Sequence, residues 1–303
     1  MPELPEVETI KRQLNDVLVG QNIKRISVLR TKSFSGNKKN IINQKIVGID
    51  RKAKNLIIQL NNNQSLLIHL KMTGQLIYQK LKIKNQKLIS KQKFADNKKH
   101  FNLNGRIIGG HPSKDWFNSL PSSHTRVVIK LSKGTLFFND MRVFGWIRIV
   151  TSDQLAAIRQ SLPPDVVDRE FNAKYLTRVL KNTSLNIKTA LLNQQKMGGI
   201  GNIYASDALH LARIDPRRPA NSLTMAEYNR LTKAIKKVIN KGIKLGGASE
   251  SDYVHLDGAG GKYQEHFRVY KQTDKKCGRG DGGVIKKIKL NGRGTYYCPK
   301  CQT

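Results

Sequence analysis

The first residues of this basic chain are acidic: Met1-Pro2-Glu3-Leu4-Pro5-Glu6-Val7-Glu8 holds three glutamates. A small second residue permits removal of Met1, which would leave Pro2 as a free secondary amine. An α-amine of pKa near ~8 is roughly one-tenth neutral at pH 7, whereas an ordinary lysine near ~10.4 is neutral to less than about one part in a thousand. A terminal proline can therefore attack a carbon of aldehyde character and form an iminium. The same residues have a plainer use, because Pro2 and Pro5 both suit the entry to a helix.

Two other groups could carry chemistry. Gly198-Gly199-Ile200-Gly201 allows a tight turn, after which Asn202 suits the N-cap of a helix. Glycines bring backbone N–H groups close to a phosphate and a helix N-terminus favours the anion, although such turns also simply join helices. Cysteine is confined to Cys277, Cys298 and Cys301. An odd number at one end argues against a disulfide framework and for a reducing cytoplasm.

The elements that hold these groups are read from the whole chain. Its 303 residues suggest two domains. With 55 Lys and Arg against 21 Asp and Glu, the formal charge is +34. Such a surface attracts polyanions, of which nucleic acid is the commonest in a cell; a lysine-rich overall composition or an anionic membrane surface are the other readings. The lysines are scattered, which implies a folded basic face rather than a tail. No apolar run approaches the ~18 residues of a membrane span, and the N-terminus lacks the basic and apolar regions of a secretory signal.

Val7, Ile10, Leu14 and Val17 recur at helical spacing and predict a helix over 5–19, stopped by Gly20. From about 21 to 150 short β-rich runs dominate, including a hairpin turn at Ser132-Lys133-Gly134, as in a sandwich or barrel. Residues 79–123 interrupt them with nine lysines and one arginine against two aspartates. They read as an inserted, accessory basic loop, with at most a short element near Trp116-Phe117. Helices are expected at 152–160, 172–181, 184–194, 203–212 and 224–244, followed by short β segments around the cysteines.

A set of motifs runs in order along the chain: Pro2-Glu3-Leu4-Pro5-Glu6-Val7-Glu8-Thr9, Arg51-Lys52-Ala53-Lys54-Asn55-Leu56, His69-Leu70-Lys71-Met72-Thr73-Gly74 and Asn139-Asp140-Met141-Arg142-Val143-Phe144-Gly145. It continues through Ile187-Lys188-Thr189-Ala190-Leu191-Leu192, Gly199-Ile200-Gly201-Asn202-Ile203-Tyr204-Ala205, Asp257-Gly258 to Val269-Tyr270, and Gly292-Arg293-Gly294-Thr295. As an ordered set these motifs resemble formamidopyrimidine-DNA glycosylase, a bacterial family that excises oxidised purines. The resemblance implies an α+β fold: an N-terminal β-sandwich with a helix (1–150, carrying the insertion), a helix–two-turns–helix domain (151–263) and a zinc-finger-like β hairpin (264–303).

It also implies roles. Pro2 would attack C1′ of the damaged nucleotide, Glu3 would be the general acid/base, Glu6 would support the site, and Lys54 would contact phosphate and assist. Met72, Arg142 and Phe144 would fill the hole left by the extruded nucleotide, unless Met72 and Phe144 are core residues of a sheet. Lys188 and Asn202 would grip phosphates, as would Arg293 at the hairpin tip, and His69, His124 and Tyr270 would be further DNA contacts. The segment 246–253 resembles a loop that closes over a flipped purine.

The chain departs from this family at two places. Met141 and Val143 stand where the family often has Pro and a second Arg, which removes one phosphate contact. The family carries two Cys-x-x-Cys pairs for zinc; here Cys298-Pro299-Lys300-Cys301 is complete, but Gly280 stands where the partner of Cys277 would be. Either Asp281 completes a three-sulfur, one-oxygen zinc site, or the hairpin folds without zinc. The expectation is a monomeric, cytoplasmic DNA glycosylase and AP lyase for oxidised purines in duplex DNA. An endonuclease VIII-like preference for oxidised pyrimidines and a non-catalytic lesion-binding paralogue are the alternatives, with an RNA-binding protein as a third class.

Overall fold

The computed structural model describes residues 2–81, 106–110, 119–248 and 261–303. The first helix, α1 (Leu4–Leu18), divides its apolar side chains between two cores. Val7, Ile10, Leu14 and Leu18 pack into a β-sandwich, whereas Leu4 packs among the later helices. The N-terminal residues are thereby wedged where the two cores meet.

The sandwich has two five-stranded sheets. One contains β1 (Ile23–Val28), β6 (Gly74–Lys80), β7 (Arg106–Gly110), β8 (Thr125–Leu131) and β9 (Gly134–Asp140), in the order β1-β8-β9-β6-β7. The other contains β2 (Phe34–Ser35), β3 (Ile46–Lys52), β4 (Asn55–Leu60), β5 (Gln64–His69) and β10 (Trp146–Thr151), in the order β2-β10-β5-β4-β3. Val127, Ile129 and Leu131 of β8 alternate inward at period two, and meet Leu56, Ile58 and Leu60 of the opposite sheet. The hairpin expected at Ser132-Lys133-Gly134 joins β8 to β9.

Residues 79–123 require a correction. They are not wholly an accessory loop, because β7 lies inside them and pairs with β6 from Gln75↔Gly110 to Gln79↔Arg106. Two apolar residues flanked by Arg106 and Gly109-Gly110 were too short a run to register as a strand. The lysine-rich segment 82–105 and the element expected near Trp116-Phe117 lie outside the described residues, as does 249–260 with most of the expected closing loop.

The second core is helical: α2 (Ser152–Ser161), α3 (Ala173–Leu180), α4 (Ile187–Leu191), α5 (Asn202–Ala212) and α6 (Met225–Lys244). Thr151 with Gln154 and Thr224 with Glu227 form capping boxes that start α2 and α6. The helix expected over 184–194 is shorter, since the Asn186 side chain caps it by accepting from the Thr189 amide at 2.9 Å. At the C-terminus β11 (Lys286–Leu290) and β12 (Arg293–Tyr297) form a hairpin. Its two-residue turn is Asn291-Gly292, with φ of 44° and 76° as a type I′ turn demands. No helix among the described residues is long and apolar enough to cross a membrane.

Candidate active site

Glu3 caps α1 in sequence, but its carboxylate reaches another helix. Oε1 accepts from the Ile203 amide at 2.9 Å and Oε2 from the Tyr204 amide at 3.4 Å, both in the first turn of α5. Gly201 is required for this approach, because a Cβ there would overlap the Glu3 carboxylate. Asn202 is not the N-cap that its type suggests: Gly201 is, and Asn202 instead donates from Nδ2 to the Gly294 carbonyl at 3.1 Å. The glycine-rich turn therefore presents two of its helix amides to Glu3. Burial pushes the Glu3 carboxyl up to about 7, against the pull of the Lys54 cation. A carboxyl titrating there can give and take protons at neutral pH.

Pro2 is buried beside Glu3. Glu6 braces this end of the chain. Its Oε2 accepts from the Glu3 amide at 2.7 Å, and its Oε1 accepts from the Tyr204 hydroxyl and the Ala248 amide, each at 2.8 Å. Burial raises Glu6 as well.

Lys54 stands on the β3–β4 turn, where Ala53 holds a φ of 53°. Asp165, from the helical half, fixes that turn by accepting from the Ala53 amide and from Arg51 Nη1, each at 2.8 Å. Arg51 Nε donates in turn to Glu8 at 3.0 Å. Arg51 belongs to a motif quoted above but without a role, and nothing in the sequence singled out Asp165, since their partners are distant in the chain. Lys54 Nζ donates to the Ile200 carbonyl at 2.9 Å, and burial lowers it to about 8.

Glu3, Lys54, Met72, Asn202, Tyr270 and Arg293 line one cavity of about 250 Å³. Arg293 is exposed at the hairpin tip. Lys188 is 1% exposed and donates from Nζ to the Gly294 carbonyl at 3.0 Å and the Thr295 hydroxyl at 2.8 Å. Two of its three N–H donors therefore hold the hairpin, not a phosphate, and burial lowers it to about 7. Asp207 sets Tyr270 by accepting from the amides of Arg268, Val269 and Tyr270 at 3.1, 3.1 and 3.3 Å.

Met72 and Phe144 are surface residues, 40% and 49% exposed, so the core reading of both is excluded. The Arg142 guanidinium stacks on the Phe144 ring at 4.7 Å. This exposed loop is organised by Asp140, which is fully buried. Its carboxylate accepts from the amides of Arg142, Phe144 and Gly145 at 3.2, 2.8 and 2.6 Å and from the Thr73 hydroxyl. Those bonds hold Val143 at a φ of 56°, which costs a β-branched residue conformational energy. The His124 carbonyl accepts from the Asp140 amide at 2.9 Å, beside the same loop. His69 accepts at Nδ1 from the Lys71 amide at 2.9 Å, and burial lowers it to about 3. It is a neutral side chain with its proton on Nε2.

The C-terminal cluster fits a metal. The ligand atoms of Cys277, Asp281, Cys298 and Cys301 all lie within 4.8 Å of one another. Tetrahedral zinc with Zn–S bonds of ~2.3 Å separates its sulfurs by about 3.8 Å. Cys277 and Cys301 Sγ are 3.8 Å apart, and Cys298 Sγ is 3.8 Å from Asp281 Oδ2. Of the two readings left by the missing fourth cysteine, this geometry favours the three-sulfur, one-oxygen site. Zinc held there would fix the turn at 277–281 to the segment at 298–301 and so steady the hairpin that carries Arg293.

Comparison with known proteins agrees with this arrangement. The profile of the formamidopyrimidine-DNA glycosylase N-terminal domain matches residues 1–147, that of its H2TH domain matches 162–254, and a zinc finger found in FPG and IleRS matches 282–303. The formamidopyrimidine-DNA glycosylase of Pelotomaculum thermopropionicum is 36% identical over 310 residues, covering 100% of this chain and 99% of the relative. Two crystal structures of wild-type Lactococcus lactis Fpg, one with DNA containing N7-benzyl-Fapy-dG and one with DNA containing an oxidised pyrimidine, each give a TM-score of 0.81 at 30% identity, with both chains fully covered. On this full-length similarity and the site geometry, the chain belongs to the formamidopyrimidine-DNA glycosylase family.

Proposed function

We propose that the protein is a bifunctional glycosylase and AP lyase that removes oxidised purines from duplex DNA in the cytoplasm. The observation that carries this reading is the meeting of Glu3, Lys54 and Arg293 on one cavity, immediately beside Pro2. The Pro2 nitrogen, once Met1 is removed, attacks C1′ of the extruded nucleotide as the bond from C1′ to the base breaks, and the proton that the amine loses leaves with the base. Positive charge develops at C1′ in this step, and a nearby carboxylate stabilises it. Glu3 protonates the sugar oxygen during ring opening, leaving the sugar bound to Pro2 as an iminium. Loss of a C2′ proton then expels the 3′-phosphate, and a further elimination expels the 5′-phosphate.

The remaining residues serve this centre. Met72, Arg142 and Phe144 occupy the space left in the duplex, and Arg293 and Lys54 meet phosphate. Lys188 and Asn202 act through the hairpin, holding Gly294 below Arg293 while their spare N–H groups face the backbone. His69 supplies a neutral N–H, and His124 and Tyr270 complete the contact surface. In this reading 1–150 carries the wedge and Lys54, 151–263 supplies the helix that receives Glu3, and 264–303 supplies Arg293.

A second substrate class rests on the relative crystallised with an oxidised pyrimidine in its DNA. Borohydride trapping tests both. Wild type is expected to form an adduct at its N-terminal residue with 8-oxoguanine opposite cytosine, and Pro2→Gly to trap far less. Trapping only on an oxidised-pyrimidine duplex would replace the purine assignment. No adduct on any lesion or on abasic DNA, from folded protein that binds the duplex, would identify a non-catalytic paralogue.

A further inference from the structure

His210 lies in the last turn of α5 and is 1% exposed. Its Nε2 is 3.3 Å from Cys277 Sγ, and its Nδ1 has no hydrogen-bond partner among the described residues. From the same turn of the metal cluster, Arg279 donates from Nη2 to the carbonyls of His210 and Leu211 at 2.8 and 2.9 Å. Two side chains thus join the C-terminal end of α5 to the segment that begins at Cys277. The four ligand atoms are supplied by Cys277, Asp281, Cys298 and Cys301, so His210 stands outside that set.

We propose that His210 is a positioning residue for the zinc site, donating its Nε2–H to the Cys277 thiolate without binding the metal. Three thiolates and a carboxylate bring four negative charges to a dication, and an N–H···S bond spreads the excess on one sulfur. Imidazole is suited to this because it can donate from Nε2 while remaining neutral, which adds no buried charge. In the metal-free protein the Cys277 thiol can donate to Nε2, with the imidazole proton on Nδ1. On loading, the three thiol protons leave to solvent and the neutral imidazole carries its proton on Nε2. Such partners behind a ligand orient it and raise metal affinity by about 10–100-fold. Gly280, in the place of the family's fourth cysteine, has a φ of 71° with nothing near a Cβ position. The site thus lacks a thiolate on that side, which increases its dependence on the orientation of Cys277.

This inference rests on reading the four-residue cluster as a zinc site, and the experiment separates the two claims. Full-length wild type, H210F and H210Q would be titrated with zinc against a chromophoric chelator, with metal content measured and cobalt spectra recorded. Wild type is expected to hold one metal per chain. H210F should hold one metal about 10–100-fold more weakly, with tetrahedral cobalt bands unchanged in position, and H210Q, which keeps a donor, should recover part of the loss. Equal affinities in all three folded proteins would overturn the role of His210. A shift in the cobalt bands of H210F would make His210 a ligand and overturn it differently. Failure of wild type to retain any zinc would refute the metal site itself.

Discussion

The Glu3 carboxylate is bound to the Ile203 amide, 200 residues away in the chain, at 2.9 Å. A side chain at the start of α1 therefore completes the N-terminus of α5, and together with the bond from Lys54 Nζ to the Ile200 carbonyl it ties the two halves of the molecule at the cavity. The helix N-terminus favours the anion, yet burial is the larger effect and leaves Glu3 near 7. The arrangement keeps a proton-transfer group poised at neutral pH and fixed to a rigid element.

Glu3→Gln should slow base excision by about 10²–10⁴-fold while binding to abasic DNA persists. Wild type should also lose excision rate as the pH rises through about 7, where Glu3 gives up its proton, and the variant should lack that limb. The folded carboxyl has a raised pKa, so its contribution to stability is full below 4.5 and is lost as the pH rises through about 7. Melting curves from pH 5 to 8 should accordingly fall more steeply for wild type than for Glu3→Gln. Parallel curves and an unchanged pH profile would remove Glu3 from the mechanism.

Gly201→Ala should displace the Glu3 carboxylate, because the new methyl group would occupy its position. A shift on the order of 1 Å at a reacting group can cost ~10² in rate. Single-turnover excision should drop by about that factor while the protein remains folded by circular dichroism. A rate within two-fold of wild type would mean that Glu3 does not need its seat on α5.

Asp140→Asn should release the loop bearing Arg142 and Phe144. One amide-bearing side chain cannot accept from all the donors that the carboxylate serves, and the unpaired groups should destabilise the fold by about 1–3 kcal/mol. Denaturant unfolding measures this cost. Affinity for lesion-containing duplex should fall with it, and a variant of unchanged stability and affinity would show that the loop holds itself.

The affinity for DNA should fall steeply with salt, because each neutralised phosphate contributes about −0.9 to the slope of log K against log[salt]. Arg293→Ala should lower the magnitude of that slope by about one. Binding isotherms between 50 and 200 mM salt would test this, and a slope that Arg293→Ala leaves unchanged would take Arg293 off the phosphate backbone.

The local elements were legible in neighbouring residues, and the motifs of the family resemblance named Glu3, Lys54, Met72, Asn202, Tyr270 and Arg293, which meet on one cavity. The 3–4 spacing of Val7, Ile10 and Leu14 specified α1, the apolar run over 127–131 specified β8, and Ser132-Lys133-Gly134 specified the hairpin turn that follows it. Short-range periodicity and turn chemistry are written in neighbouring residues, which is why they were legible. The strand β7 was not, because five residues ending in two glycines become a strand only through the edge of β6. Tertiary structure alone decided what the motif residues touch. It assigned the amides of α5 to Glu3, made Asn202 a hairpin contact instead of a cap, and buried Lys188 under Gly294. It also brought Asp165 to the Lys54 turn and His210 to Cys277. These pairings join residues tens to hundreds of positions apart: packing of the two cores around α1 brings Glu3 to α5, and packing of the C-terminal hairpin against the helical core brings Lys188 and Asn202 to Gly294 and His210 to Cys277.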